Sequence, residues 1–137
     1  MSAISELIRV ESDGSISFGD YTLAAKAKKD NFEYKGDLYK VKTCKEITKL
    51  ESNGKFVYES VPGTAVCNFS QDENSVAFQV EGPDDAQITL ELEEDAEYEI
   101  TINDKNAGVM KTNLGGKLTI GVELTDADAA VVKVEKK

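Results

Sequence analysis

Side-chain oxygen is the most abundant chemical resource in this sequence. With 26 Asp and Glu among 137 residues, two facing carboxylates could act as the acid and base of a glycosidase. Asp84-Asp85 and Asp126-Ala127-Asp128 could offer oxygens to calcium. Neither run has EF-hand spacing, and both read better as turn-capping residues. The phenols form a second resource. Tyr21, Tyr34, Tyr39, Tyr58 and Tyr98 could line a groove, and of these Tyr21, Tyr39, Tyr58 and Tyr98 are the candidate ligand-binding residues. The competing reading packs them across a sheet, hydroxyl outward. Among so many acids some pair always falls at a suitable distance, so no catalytic residue, metal ligand or cofactor is assigned.

The missing residue types exclude more than the present ones suggest. Histidine is absent, which removes Ser-His-Asp triads, Cys-His pairs, HExxH zinc sites and every His-ligated metal. Tryptophan is absent too, which weakens a sugar-stacking platform. Arg9 is the sole arginine, so one chain cannot assemble a guanidinium clamp for carboxylate or phosphate. Gly115-Gly116-Lys117-Leu118 lacks the upstream Gly and the following Ser or Thr of a P-loop. Cys44 and Cys67 match no metal spacing and are too few for a disulfide scaffold, so they read as small apolar residues in a reducing compartment.

Charge is distributed unevenly along the chain. The net charge is −10, yet Phe56 to Asp104 contains no Lys or Arg, while nine lysines fall between Lys26 and Lys55. An acidic surface repels phosphate backbones, which argues against nucleic acid as a partner. No apolar run approaches the length of a membrane span. The opening Met1-Ser2-Ala3-Ile4-Ser5-Glu6 lacks a basic and then apolar leader pattern, so the expected location is the cytoplasm.

The elements that must position these residues are strands. Turn signals recur at Asp13-Gly14, Lys35-Gly36-Asp37, Asn53-Gly54, Pro62-Gly63, Gly82-Pro83-Asp84, Asn103-Asp104 and Gly115-Gly116. Between them apolar residues alternate with period two, as in Leu38 to Lys42, Val76 to Val80, Ile88 to Leu92, Tyr98 to Ile102, Leu118 to Val122 and Val132 to Val134. Only Leu23 to Lys29 would also suit a short helix. The expectation is an all-β single domain over 1–137, an antiparallel β-sandwich or flattened barrel of about ten short strands. Lys40-Val41-Lys42 would suit a protected sheet edge.

One segment occurs twice. Glu6 to Phe18 returns forty residues later as Glu46 to Tyr58, with Glu-Ser, Asp/Asn-Gly and a closing aromatic in step. A three-residue loop in each copy keeps the apolar residues on one face. It would pair Val10 with Ile16 and Ile8 with Phe18, then Leu50 with Phe56 and Thr48 with Tyr58, with Gly14 and Gly54 as left-handed bulge residues. Adding Asp37 to Val41 and Ser75 to Val80 as closing strands gives repeat units 4–43 and 44–82, followed by a closing meander 83–137.

Three stretches carry a resemblance: Gly19 to Leu23, the run from Leu38 to Ala65 that includes Phe56-Val57-Tyr58-Glu59-Ser60-Val61-Pro62-Gly63-Thr64-Ala65, and Met110 to Leu118. On these the chain, over nearly its whole length, resembles a family of small bacterial proteins often labelled "endosialidase". Sialidases hold the sugar carboxylate with arginines and this chain has only Arg9, so the likeness brings no catalytic residue with it. Tyr98 to Asp104, Gly108 and Leu118 to Val122 also resemble the β-sandwich ends of some carbohydrate-active enzymes, where such domains are accessory. The expectation is a non-enzymatic binding or assembly module whose partner is another copy or another protein. A carbohydrate-binding module stands second and a glycan hydrolase third, with no nucleic acid or membrane partner.

Overall fold

The computed structural model describes residues 3–72, 74–82, 84–124 and 129–137. Among them are thirteen strands and no helix. In chain order they are β1 (Ala3–Val10), β2 (Ile16–Asp20), β3 (Ala27–Tyr34), β4 (Asp37–Thr43), β5 (Thr48–Ser52), β6 (Lys55–Val61), β7 (Ala65–Gln71), β8 (Ser75–Glu81), β9 (Ala86–Glu91), β10 (Glu97–Ile102), β11 (Lys105–Lys111), β12 (Lys117–Val122) and β13 (Ala130–Lys136). Seven form one antiparallel sheet, ordered β1-β2-β7-β8-β13-β10-β11, and six form the other, ordered β12-β9-β6-β5-β4-β3. Each sheet keeps two free edges, so the architecture is an antiparallel sandwich and not a closed barrel. The ambiguous stretch after Leu23 resolves as a turn leading into β3.

Alternation decides which side chains enter the core. Leu118, Ile120 and Val122 of β12 point inward, as do Ala86, Ile88 and Leu90 of β9 and Ala130, Val132 and Val134 of β13. Between the sheets Tyr58 of β6 meets the ring of Phe18 at 5.2 Å and that of Phe78 at 5.8 Å, both edge to face. Phe69 stacks on Phe78 at 5.6 Å. Edge-to-face pairs add about 1 kcal/mol each to the area they bury, so this cluster binds the six-stranded sheet to the seven-stranded one.

The two copies of the repeated hairpin close differently. In the first, Val10 pairs with Ile16 and Ile8 with Phe18. Gly14 has φ +89, and its N–H donates to the Glu11 carbonyl across a three-residue loop, as the apolar pairing requires. In the second, Ser52 pairs with Lys55 across a two-residue loop, and Leu50 pairs with Tyr58 instead of Phe56. The expected register is therefore corrected there. Asn53 and Gly54 both adopt positive φ, +51 and +80, the primed turn that suits strand twist and that Asn tolerates better than most residues. Asn53 also ties the turn to β4, its Oδ1 accepting from Leu38 N–H at 2.9 Å and its Nδ2 donating to Asp37 at 2.8 Å. The bulge moves to Val57, which lets Tyr58 and Ser60 turn inward and Phe56 outward.

The hairpins also enter different sheets, β1–β2 the first and β5–β6 the second: β1 is an edge strand and only β2 has an outer neighbour, β7, whereas the second hairpin is flanked on both sides, β5 by β4 and β6 by β9. A further correction concerns Lys40-Val41-Lys42. β4 lies inside its sheet between β5 and β3, and the lysine-bearing edge is β3, with Lys28 and Lys29.

Candidate functional site

The candidate tyrosines do not gather. Tyr58 and Tyr98 are 0% and 2% exposed, so the expectation that they face a ligand is corrected: both occupy inward positions of their strands. Burial pushes the Tyr58 phenol far above its ordinary pKa. The Tyr98 hydroxyl accepts from the Glu93 N–H at 3.2 Å. Tyr21 sits half-buried in the turn after β2. Tyr39 is also half-buried and meets Tyr34 edge to face at 5.5 Å.

Most of the motif residues build a polar knot where the chain passes from β6 to β7. The Thr64 hydroxyl lies 2.8 Å from both Tyr58 OH and Ser60 Oγ. Thr48 Oγ1 donates to the Thr64 carbonyl at 2.8 Å, accepts from the Thr64 N–H at 3.0 Å and meets Thr43 Oγ1 at 2.8 Å. Thr43 Oγ1 in turn accepts from the Asp20 N–H at 2.9 Å. Gly63 packs so tightly that a Cβ there would stand 1.9 Å from the Cys44 carbonyl oxygen. Among the described residues no buried side-chain polar atom lacks a partner. A fully satisfied network of this kind fixes a crossover. The sequence shows Val61-Pro62-Gly63-Thr64 only as a turn, since its partners lie far off in the chain.

A cleft of about 280 Å³ opens at one end of the sandwich. Tyr34, Tyr39, Lys35, Asp37, Gln71 and Asp72 line it. Burial, with Asp37 nearby, raises the Tyr39 phenol. Asp72 accepts from the N–H groups of Asn74 and Ser75, both at 2.8 Å, and these bonds lower its pKa. The cleft brings two tyrosines and several hydrogen-bonding side chains together, with the Tyr34 hydroxyl already donating to the Gly14 carbonyl at 2.5 Å. Of its tyrosines, the sequence reading singled out Tyr39 but not Tyr34.

Charge gathers in rows on the outer faces. On the six-stranded sheet Lys28, Lys42 and Lys49 stand directly opposite one another across β3, β4 and β5, with Glu59 next in line on β6. Neighbouring strands lie about 4.8 Å apart, so like charges crowd. Glu99 and Glu135 face each other in the same way on β10 and β13. Beside the lysine row the Phe56 ring lies under Lys117, at 4.5 Å, and Lys49, at 5.9 Å.

Among the described residues no group of three or more His, Cys, Asp or Glu could hold a metal ion. Asp85 Oδ1 accepts from the Leu124 N–H at 3.2 Å, a long-range bond that ties the residue before β9 to the chain after β12. Asp126 and Asp128 lie outside the described residues. Cys44 is buried and Cys67 half-buried, and neither is in a disulfide. Burial, then the nearby Glu81 and Glu11, raises the Cys67 thiol. Among the described residues no helix is long and apolar enough to cross a membrane. Comparison with known proteins adds no relative: no family model, no curated protein and no solved structure matches the chain.

Proposed function

We propose that this chain is a non-enzymatic β-domain that works by association, its partner being another copy of itself or another protein. The like-charged rows carry this reading. Lys28–Lys42–Lys49 and Glu99–Glu135 place equal charges directly opposite, an arrangement that costs a sheet stability. Lys49 is already paired with Glu51 at 3.6 Å, which leaves Lys28 and Lys42 on one sheet and Glu99 and Glu135 on the other for a partner to meet, and such complementarity steers encounter and fixes orientation. Two free thiols suit a reducing, cytoplasmic setting. The residues behind the endosialidase likeness serve the fold: Gly63 and Thr64 build the crossover, and Thr112 and Asn113 cap the chain between β11 and β12. They add no support for a hydrolase.

Sedimentation across a salt series tests the reading. Association at low ionic strength that fades as charges are screened is the expected result. A monomer at every salt and protein concentration overturns self-association.

A second reading rests on the cleft beside Tyr34 and Tyr39, where Asp37, Gln71 and Asp72 could hydrogen-bond a sugar. A glycan array with no signal above background removes it.

A further inference from the structure

The two outer faces of the sandwich carry their charges in grids. On the six-stranded sheet Lys28, Lys42 and Lys49 form one row. In the row beside it Lys40 stands opposite Glu51, and Asp30 reaches Lys40 from the bulge in β3 at 3.8 Å. On the seven-stranded sheet Glu135, Glu99 and Val109 form one row, with Glu97 opposite Lys111 in the next. Lys40 and Lys42 flank buried Val41, Glu97 and Glu99 flank buried Tyr98, and Glu135 follows buried Val134. Alternation therefore turns all of these charges outward.

The handedness of the two grids decides how they can meet. Lys42 turns its backbone groups toward β5, in step with the bonds from Asn53 N–H to the Leu38 carbonyl and from Cys44 N–H to the Ile47 carbonyl. Glu135 turns its groups toward β10, in step with the bonds from Asn103 N–H to the Val131 carbonyl and from Lys137 N–H to the Glu97 carbonyl. Seen from outside, β5 thus lies on the same side of an upward-running β4 as β10 does of an upward-running β13. Bringing the faces together reverses one of them left to right, which leaves two ways to lay Glu135 and Glu99 over Lys28 and Lys42. In one, Lys40 falls on Lys133. In the other, Lys28 meets Glu135, Lys42 meets Glu99, Lys40 meets Glu97 and Glu51 meets Lys111, with opposite signs at every place.

We infer that the chain stacks on itself face to face in this second register, the six-stranded sheet of one copy laid on the seven-stranded sheet of the next. This rests on the self-association reading above. β3, β4 and β5 then run alongside β13, β10 and β11. Stacked sheets lie about 10 Å apart, a gap that a lysine and a glutamate side chain span together. Lys40, Glu51 and Lys111 already hold Asp30, Lys49 and Asp95, but such exposed pairs are worth little and do not compete with a covered one. The two faces differ and lie on opposite sides of the sandwich, so each contact leaves a free face at either end. Such a heterologous contact, repeated, builds an open chain of copies and not a closed dimer.

Sedimentation equilibrium at low salt, with charge exchange, tests the stack. The average mass should climb past that of a dimer as protein concentration rises. Lys42→Glu and Glu99→Lys should each weaken association at least about tenfold. Their thermal melts should hold or rise, because each substitution breaks up a like-charged row within its own sheet. The double variant restores the pair at every contact and should associate like the parent. Lys133→Glu should tighten the chain, since exposed Lys133 comes against exposed Lys26, just before β3. Growth that stops at the dimer, association that ignores the charge variants, or a double variant as weak as the singles overturns the stack and leaves self-association standing. A monomer under every condition removes both.

Discussion

The phenol of Tyr58 and the hydroxyl of Thr64 meet 2.8 Å apart inside the core, and the contact fastens one sheet to the other. Tyr58 belongs to the six-stranded sheet, while Thr64 immediately precedes the first residue of β7 in the seven-stranded one. Removing the phenol by Tyr58→Phe leaves Thr64 still bonded to Ser60, so the loss should be about 1 kcal/mol. Thr64→Val strands two buried hydroxyls at once and should cost about 3 kcal/mol. Urea denaturation of both variants checks the order; equal losses would show that the contact does not hold the crossover.

Gly63 and Gly14 should respond to alanine for different reasons. At Gly63 the new methyl meets the Cys44 carbonyl oxygen at 1.9 Å, a backbone atom that cannot swing aside, so a loss of more than about 3 kcal/mol or failure to fold is expected. At Gly14 space is open and only the positive φ opposes a side chain, for about 1 kcal/mol. Thermal melts that rank Gly14→Ala as the worse substitution would contradict the packing at the knot.

Acid should loosen the first hairpin. Glu11 accepts from Ser17 Oγ and from Arg9 Nε, and these bonds hold its carboxyl below the usual range. A carboxyl lowered in the folded state contributes stability that is fully present above its unfolded pKa, near pH 4. That contribution is lost as pH falls through the folded value. Urea midpoints measured from about pH 6 down to about pH 2 should fall more steeply in the parent than in Glu11→Gln. Identical slopes would remove the linkage.

Cys67 should be slow to label. Its raised pKa leaves little thiolate at neutral pH, and the residue is partly buried. The native protein should react with a maleimide far more slowly than after unfolding, and faster only as pH rises beyond the ordinary thiol range. Labelling of native Cys67 at the rate of a free thiol near pH 7 would contradict this environment.

Much of the fold was legible because strands advertise themselves by alternation. The register of the first hairpin followed from keeping Ile8, Val10, Ile16 and Phe18 on one face. The same argument failed at the second, because Asn53-Gly54 favours a tighter turn and a bulge at Val57 restores the inward face. Alternation tells two faces apart but not which one is inside, so Tyr58 and Tyr98 could not be placed from their types. Long-range order was hidden as well. Nothing local to Lys40-Val41-Lys42 reveals that another strand lies outside it, and the partners of Thr64 at Thr48, Tyr58 and Ser60 converge only once both sheets exist.

The position of β13 bears on how the chain is made. β13 lies between β8 and β10, and it leaves the ribosome after both. Until it arrives, the larger sheet exists as two separate pieces, each with a bare inner strand. A nascent chain halted before Ala130 is therefore a sticky intermediate, held in that state by the order of synthesis. Protease protection of stalled chains should rise in one step as β13 emerges, and gradual protection from β8 onward would show that the halves close without it.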